Sequence, residues 1–171
     1  VGVAAIVAAT AFEVPTDVPD LDRTRWDIPL IDYTKKDPQW HLMSKTEKTV
    51  YRLLSDPYLF YLYVLGYDRA DHQGEWLWRF FQNKFVQLIA PVDFGKSCCT
   101  ATGYPMHAFF RNCNIRCMIV SGAKDQTNAS MREMNTHLVD NDRFKELFKL
   151  RWGYLPRPDK TESDTWNKTE K

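Results

Sequence analysis

The stretch Leu88-Ile89-Ala90-Pro91-Val92-Asp93-Phe94-Gly95-Lys96-Ser97-Cys98-Cys99-Thr100 constrains this chain more than any other. An apolar segment passes through a tight Gly-Lys-Ser turn into a run of small residues. That is the layout of a strand, a phosphate-binding loop and the start of a helix. Each part has a chemical reason. Gly95 lets the backbone close around phosphate oxygens with successive N–H groups pointing inward. Lys96 brings a point charge to the phosphates, and the Ser97 hydroxyl completes the shell of a bound Mg²⁺. The full pattern has Gly where this chain has Ala90, so only its Gly-Lys-Ser half is intact.

The flanking segments extend that reading. Phe85 to Ala90 reads as the strand entering the loop, and Lys96 to about Arg111 as the helix leaving it. Small residues at Ala101, Thr102 and Gly103 would let this helix pack closely on a sheet, and Pro105 should kink it or shorten its first half. Ile115-Arg116-Cys117-Met118-Ile119-Val120 is the strongest strand candidate. Its near-continuous apolar character predicts a parallel strand covered on both faces. Strand, loop, helix and strand make a complete βαβ unit with a right-handed crossover. The expected fold class is therefore α/β, with a parallel sheet core preceded by a small helical segment.

Four segments are expected: an extended or loosely ordered arm over 1–43, a helical segment over 44–83, a βαβα core over 84–150 and an irregular tail over 151–171. Pro15, Pro19, Pro29 and Pro38 break any helix in the arm, which Trp26, Leu30, Ile31 and Trp40 would anchor. The apolar start Val1 to Phe12 is too short for a membrane span and lacks the basic flank of a signal peptide. No transmembrane or secretory signal is visible. The first residue is not Met and the last eleven are polar apart from Trp166, so the chain reads as part of a longer product.

Ser44-Lys45-Thr46-Glu47 fits a capping box, followed by Val50, Leu53 and Leu54 at helical spacing. Asp56-Pro57 reads as an N-cap with Pro in the first turn. A helix from Pro57 to Leu65 would end at Gly66, and its apolar character all round predicts burial. After a polar turn over 67–74, a third helix, Glu75 to Asn83, carries Trp76, Leu77, Trp78, Phe80 and Phe81. These aromatics suit a core better than a base-stacking surface. A helix from about Asp125 to Val139 would pack Met131, Met134 and Leu138 on the sheet. Asp142 would cap a short helix, Arg143 to Phe148.

A formal charge of +1 gives no global field for nucleic acid. Cys98, Cys99, Cys113 and Cys117 form no C-x-x-C pair and read as free thiols in a reducing compartment. Hydrolysis of a bound nucleotide further needs an acid pair closing a buried strand. No apolar run after Gly95 ends in one, and Asp32 follows Leu30-Ile31 too early, behind Pro29.

The order Val64-Leu65-Gly66-Tyr67-Asp68, His72, then Gln87-Leu88-Ile89-Ala90-Pro91 leading into Phe94-Gly95-Lys96-Ser97, resembles the large subunit of tailed-virus terminases. The resemblance continues through Tyr104-Pro105, Phe110-Arg111-Asn112, Arg116, Ile119-Val120-Ser121 and Phe144-Lys145-Glu146-Leu147-Phe148, and covers roughly residues 50 to 150. It implies an additional-strand P-loop ATPase that drives double-stranded DNA into procapsids, with a separate nuclease domain outside this chain. By position, Asp93, Phe94, Gly95, Lys96, Ser97 and Cys98 would bind ATP, with Lys96 catalytic and Ser97 the Mg²⁺ ligand. Gln73 is the candidate for an adenine contact. The family's Arg after the loop Pro is Val92 here. The implied partners are double-stranded DNA, the portal protein and the terminase small subunit, in a homo-oligomeric ring in the cytoplasm of an infected host cell. The alternatives are another P-loop NTPase, such as a helicase-like motor or a small kinase, and a non-enzymatic interaction domain in which Gly-Lys-Ser is an ordinary turn.

Overall fold

The computed structural model describes residues 32 to 156. The apolar start Val1 to Phe12, the arm anchors Trp26, Leu30 and Ile31, and the tail beyond Pro156 lie outside them. The described residues build helices joined by irregular segments. In order these are α1 (Tyr33–Lys36), a short 3₁₀ turn (Trp40–Leu42), α2 (Lys45–Ser55), α3 (Pro57–Tyr63) and α4 (Asp71–Gln82). A π-helical stretch (Cys98–Gly103) then leads directly into α5 (Tyr104–Arg111), followed by α6 (Lys124–Val139) and α7 (Asp142–Trp152).

The expected α/β class with a parallel sheet is overturned: no strand or sheet occurs among the described residues. Both segments read as strands, Phe85 to Ala90 and Ile115 to Val120, lie outside any ladder. A strand is defined by its partner as much as by its own residues, and a parallel one must also be covered on both faces. Neither condition is met here. Phe85, Ile89, Met118 and Val120 are 86%, 85%, 86% and 77% exposed, the reverse of a buried strand's side chains.

The core is instead helix on helix, and α3 lies at its centre. Asp56 caps α3, its Oδ1 accepting from the N–H groups of Tyr58 (3.1 Å) and Leu59 (3.0 Å), with Pro57 in the first turn. Tyr58, Leu59, Phe60 and Tyr61 are all but fully buried. Around them pack Val50 and Leu53 of α2, Leu77 and Trp78 of α4, Met106 and Phe110 of α5, and Phe144, Leu147 and Phe148 of α7. Phe60 meets the rings of His107, Phe110 and Phe144 at centroid distances of 5.1, 5.2 and 6.2 Å. Burying one such side chain is worth about 1.5–3 kcal/mol relative to leaving it exposed.

Local signals set several boundaries. Ser44 Oγ accepts the Glu47 N–H while Glu47 accepts the Ser44 N–H, a complete capping box. Gly66, at φ +77°, turns the chain after α3. Other boundaries move. Helix α4 begins at Asp71, inside the stretch read as a polar turn. Helix α7 is capped by Asn141, whose Oδ1 accepts the Phe144 N–H (2.9 Å), and runs on to Trp152, where Gly153 at φ +80° stops it. Trp40 packs edge-on against Tyr51 at 5.9 Å. Trp78 and Leu77 are core, as their type predicts, while Met131 of the expected stripe is exposed.

Pro105 does not break its helix, because the turn before it is widened. A Pro lacks the N–H that would bond Ala101, and its ring would meet that carbonyl. The chain adopts i→i−5 bonding there, Tyr104 N–H reaching Cys99 O, and so passes the Pro without a break. Gly103 lies in this turn, and its close approach is to α3 rather than to a sheet. A Cβ on it would sit 2.6 Å from Tyr61 Cδ2 and 3.1 Å from the Cys98 carbonyl oxygen. Neither neighbour can yield, so Gly103→Ala should lower stability by about 1–3 kcal/mol in urea titrations, with no change in slope.

His107 of α5 is fully buried, its Nε2–H donating to Leu53 O (3.0 Å) while Nδ1 has no described partner. Burial, helped by the nearby Arg111 charge, pushes its pKa down to about 3. The unfolded chain takes up a proton near pH 6.5 that the folded chain refuses until about pH 3. Stability supplied by the neutral ring is therefore complete above pH 6.5 and lost as pH falls through that window, by about 1.4 kcal/mol per unit. A His107→Leu variant should show a shallower fall, by one proton's worth, when melts are compared from pH 7 to pH 4.

Candidate phosphate-binding loop

Residues 83 to 95 leave the end of α4 and return to its beginning. Two left-handed residues make the final turn: Asp93 at φ +65° and Gly95 at φ +72°. Asp is among the few side-chain-bearing types that tolerate this region, and Gly does so freely. At Gly95 there is a second reason for glycine: a Cβ would lie 2.1 Å from Gln73 Nε2.

The helix starts at once. Cys99 N–H bonds the Gly95 carbonyl at 3.1 Å, the first i→i−4 bond. The N–H groups of Lys96, Ser97 and Cys98 precede it in the first turn, where no intrahelical acceptor exists. These donors lie at the positive end of a helix reached through a left-handed glycine, where the backbone dipoles favour negative charge. Ser97 is exposed on its first turn. Lys96 folds back, its Nζ donating to the carbonyl oxygens of Ala90 (2.6 Å) and Pro91. In place of the missing first glycine, the Ala90 carbonyl thus serves as a seat for the lysine.

The loop is tethered to α4 through one oxygen. Phe94 O accepts from Gln73 Nε2 (3.2 Å) and His72 Nε2 (3.3 Å), and the His72 and Phe94 rings lie 5.5 Å apart. Gln73 is buried, and its Oε1 accepts from the Tyr61 hydroxyl at 3.0 Å. The side chain proposed by position for an adenine contact is here a strut between the core and the loop.

A polar network that the sequence reading passed over begins beside this strut. Tyr61 stacks on Tyr67 at 4.4 Å and 16°. The Tyr67 hydroxyl donates to Glu133 Oε1, and Glu133 Oε2 accepts from Thr102 Oγ1 at 2.9 Å. With the Tyr67 proton committed to Glu133, His137 Nε2–H donates to the Tyr67 oxygen (3.3 Å) and bare Nδ1 accepts from Asn141 Nδ2 (3.1 Å). Asn141 also bonds Val64 O at 2.8 Å. Burial and the carboxylate of Glu133 push the Tyr67 phenol up, and burial lowers His137. The signal was Glu133 and His137, four residues apart and so on one face of α6, close to the methionines that drew attention instead.

All four cysteines are free. Cys99 is buried and pushed up to about 12 by burial and by Cys98. Burial raises Cys98 too, with Glu133 adding to it, so the thiols flanking the loop stay protonated and are not nucleophiles. Cys117, on the segment expected to be a strand covered on both faces, is exposed. Among the described residues no group of three or more His, Cys, Asp or Glu is placed to hold a metal ion. No helix among them is long and apolar enough to cross a membrane.

Compared with known proteins, the chain matches no family model, no curated protein and no solved structure.

The strut and the glycine can be tested together. Gly95→Ala should cost about 1–2 kcal/mol for its left-handed backbone, plus the overlap with Gln73. In a Gln73→Ala background the overlap is gone and only the backbone cost remains. A double-mutant cycle, read as stability and as amide exchange of residues 92 to 96, should therefore show the double variant less destabilised than the sum of the two single variants.

Proposed function

We propose that this chain binds the phosphates of Mg-ATP on the loop Asp93 to Cys98, as the ATP-binding part of a DNA-packaging motor resembling the terminase large subunit. One observation carries the phosphate assignment. The first helical turn, which leaves the N–H groups of Lys96, Ser97 and Cys98 without an intrahelical acceptor, follows directly on the left-handed Gly95. The link to packaging of double-stranded DNA, to the portal protein and to the terminase small subunit rests on the ordered motif resemblance alone.

The residues fit the cofactor in part. Backbone donors from Lys96 to Cys98 suit phosphate oxygens, and the Ser97 hydroxyl is exposed to meet a cation. Mg²⁺ takes about six oxygens and keeps several waters, so one hydroxyl plus substrate phosphates is an ordinary protein share. When bound, Mg²⁺ neutralises charge on the β- and γ-phosphates. The chain's own part is to bind and orient. Lys96 must leave the carbonyls of Ala90 and Pro91 to meet a phosphate, exchanging two neutral acceptors for a charged one, which is the stronger bond. No apolar run in this chain ends in the acid pair that water activation needs. The expected behaviour is therefore binding with negligible turnover.

A second reading is favoured by a different observation. Phe85, Ile89, Val92, Met118 and Val120 are all more than three-quarters exposed on segments without secondary structure, as an interaction domain would have them. Titration of Mg-ATP separates the two. Lys96→Ala should weaken binding by about ten- to a hundredfold, the worth of one charged hydrogen bond, in a protein that still melts cooperatively. Equal affinity in the variant and the parent protein would reject the phosphate loop and leave the interaction domain.

A further inference from the structure

A cavity of about 530 Å³ opens where α1, α2, α4, α5 and α7 meet. Its size is that of a small-ligand pocket, typically about 300–1,000 Å³. Its wall combines two kinds of residue. Leu54, Phe81, Tyr104 and Ile115 supply apolar surface, while Lys36, Arg111 and Arg151 supply three cations. No carboxylate lines it among the described residues.

The two arginines are held in place. The Arg111 guanidinium lies 4.6 Å from the centroid of the Phe81 ring, itself part of the wall. Arg151 donates Nε–H to Phe110 O and Nη2–H to Arg111 O, both at 3.0 Å, across the last turn of α5. These carbonyls fix Arg151 and offset part of its charge. They do nothing for Arg111, whose hydrogen-bond donors have no described protein acceptor. The crowding is felt: burial first and the Arg111 charge second lower the pKa of Arg151. Asn112, at the same rim, accepts the Asn114 N–H through Oδ1 and has amide donors to spare.

We propose that this cavity binds a small organic oxyanion, a phosphate or carboxylate carried on an aromatic or aliphatic body. The oxyanion neutralises the arginine pair, and the guanidinium fork of Arg111, held over the Phe81 ring, meets two of its oxygens. The body lies against Leu54, Phe81, Tyr104 and Ile115. The site shares no residue with the Gly95-Lys96-Ser97 loop and does not depend on its assignment.

The test titrates phenyl phosphate and, separately, benzoate into the full chain while following backbone NMR signals of Ala108, Asn112 and Ile115. Saturable shifts are expected with at least one of them, at an affinity tenfold or more above that of inorganic phosphate or phenol, which each carry half of the recognised structure. Arg111→Gln should weaken binding at least tenfold, with Lys36→Gln as a second probe should that variant fail to fold. Lys96→Ala should leave it unchanged. Three outcomes overturn the proposal: no saturable shift, undiminished affinity after the cation is removed, or loss of binding in Lys96→Ala, which would put the ligand on the loop.

Discussion

Helix α3 is buried from Pro57 to Tyr61 and half-covered at Leu62 and Tyr63, and the rest of the structure follows from that. Its seven residues include no charged side chain, so an isolated copy would be neither stable nor soluble. It persists because α2, α4, α5 and α7 bury it from different sides. The buried Asp56 cap starts it, satisfying two N–H groups where water cannot reach. Tyr61 ends up against the bare backbone of Gly103, and the widened turn beside Pro105 holds that backbone in place. A helix that must be covered on all sides makes a helix-on-helix core, not a layer on a sheet.

The loop hangs from the same helix. From Tyr61 a hydrogen bond runs to Gln73, and a second runs from Gln73 to the Phe94 carbonyl. On its other side Tyr61 stacks on Tyr67, whose hydroxyl leads to Glu133 and His137 on α6. The position of Phe94, and with it the turn at Gly95, is thus set by core packing two residues removed. Buried polar chains of this kind give geometric definition when every member has a partner, and costly disorder when one is lost. That makes Gln73 a positioning residue for the loop.

Much of this was legible locally. Ser44 with Glu47, Asp56 with Pro57 and the glycine at 66 are signals whose physics spans only a few residues, and they mark the boundaries where they occur. The loop was legible for the same reason: a left-handed glycine followed by a helix start is a short-range pattern. What failed was inference from apolar runs. Phe85 to Ala90 and Ile115 to Val120 have the β-branched and apolar content of buried strands, but content is only propensity, and pairing depends on residues far away in sequence. The Glu133 network escaped because Tyr67 and Thr102 reach α6 from 66 and 31 residues away, and only the spacing of 133, 137 and 141 is short-range.

By itself, then, the sequence determined where α2 and α3 start, that α3 must be buried, and that a helix begins at Lys96 directly after Gly95. These depend on backbone bonds and side chains within one or two turns. Tertiary structure alone decided that the core is helical, that Gln73 ties the loop to Tyr61, and that Arg111 and Arg151 face one cavity. Each of those is a meeting of distant segments, and the energy that selects it comes from burial and pairing that no local window contains.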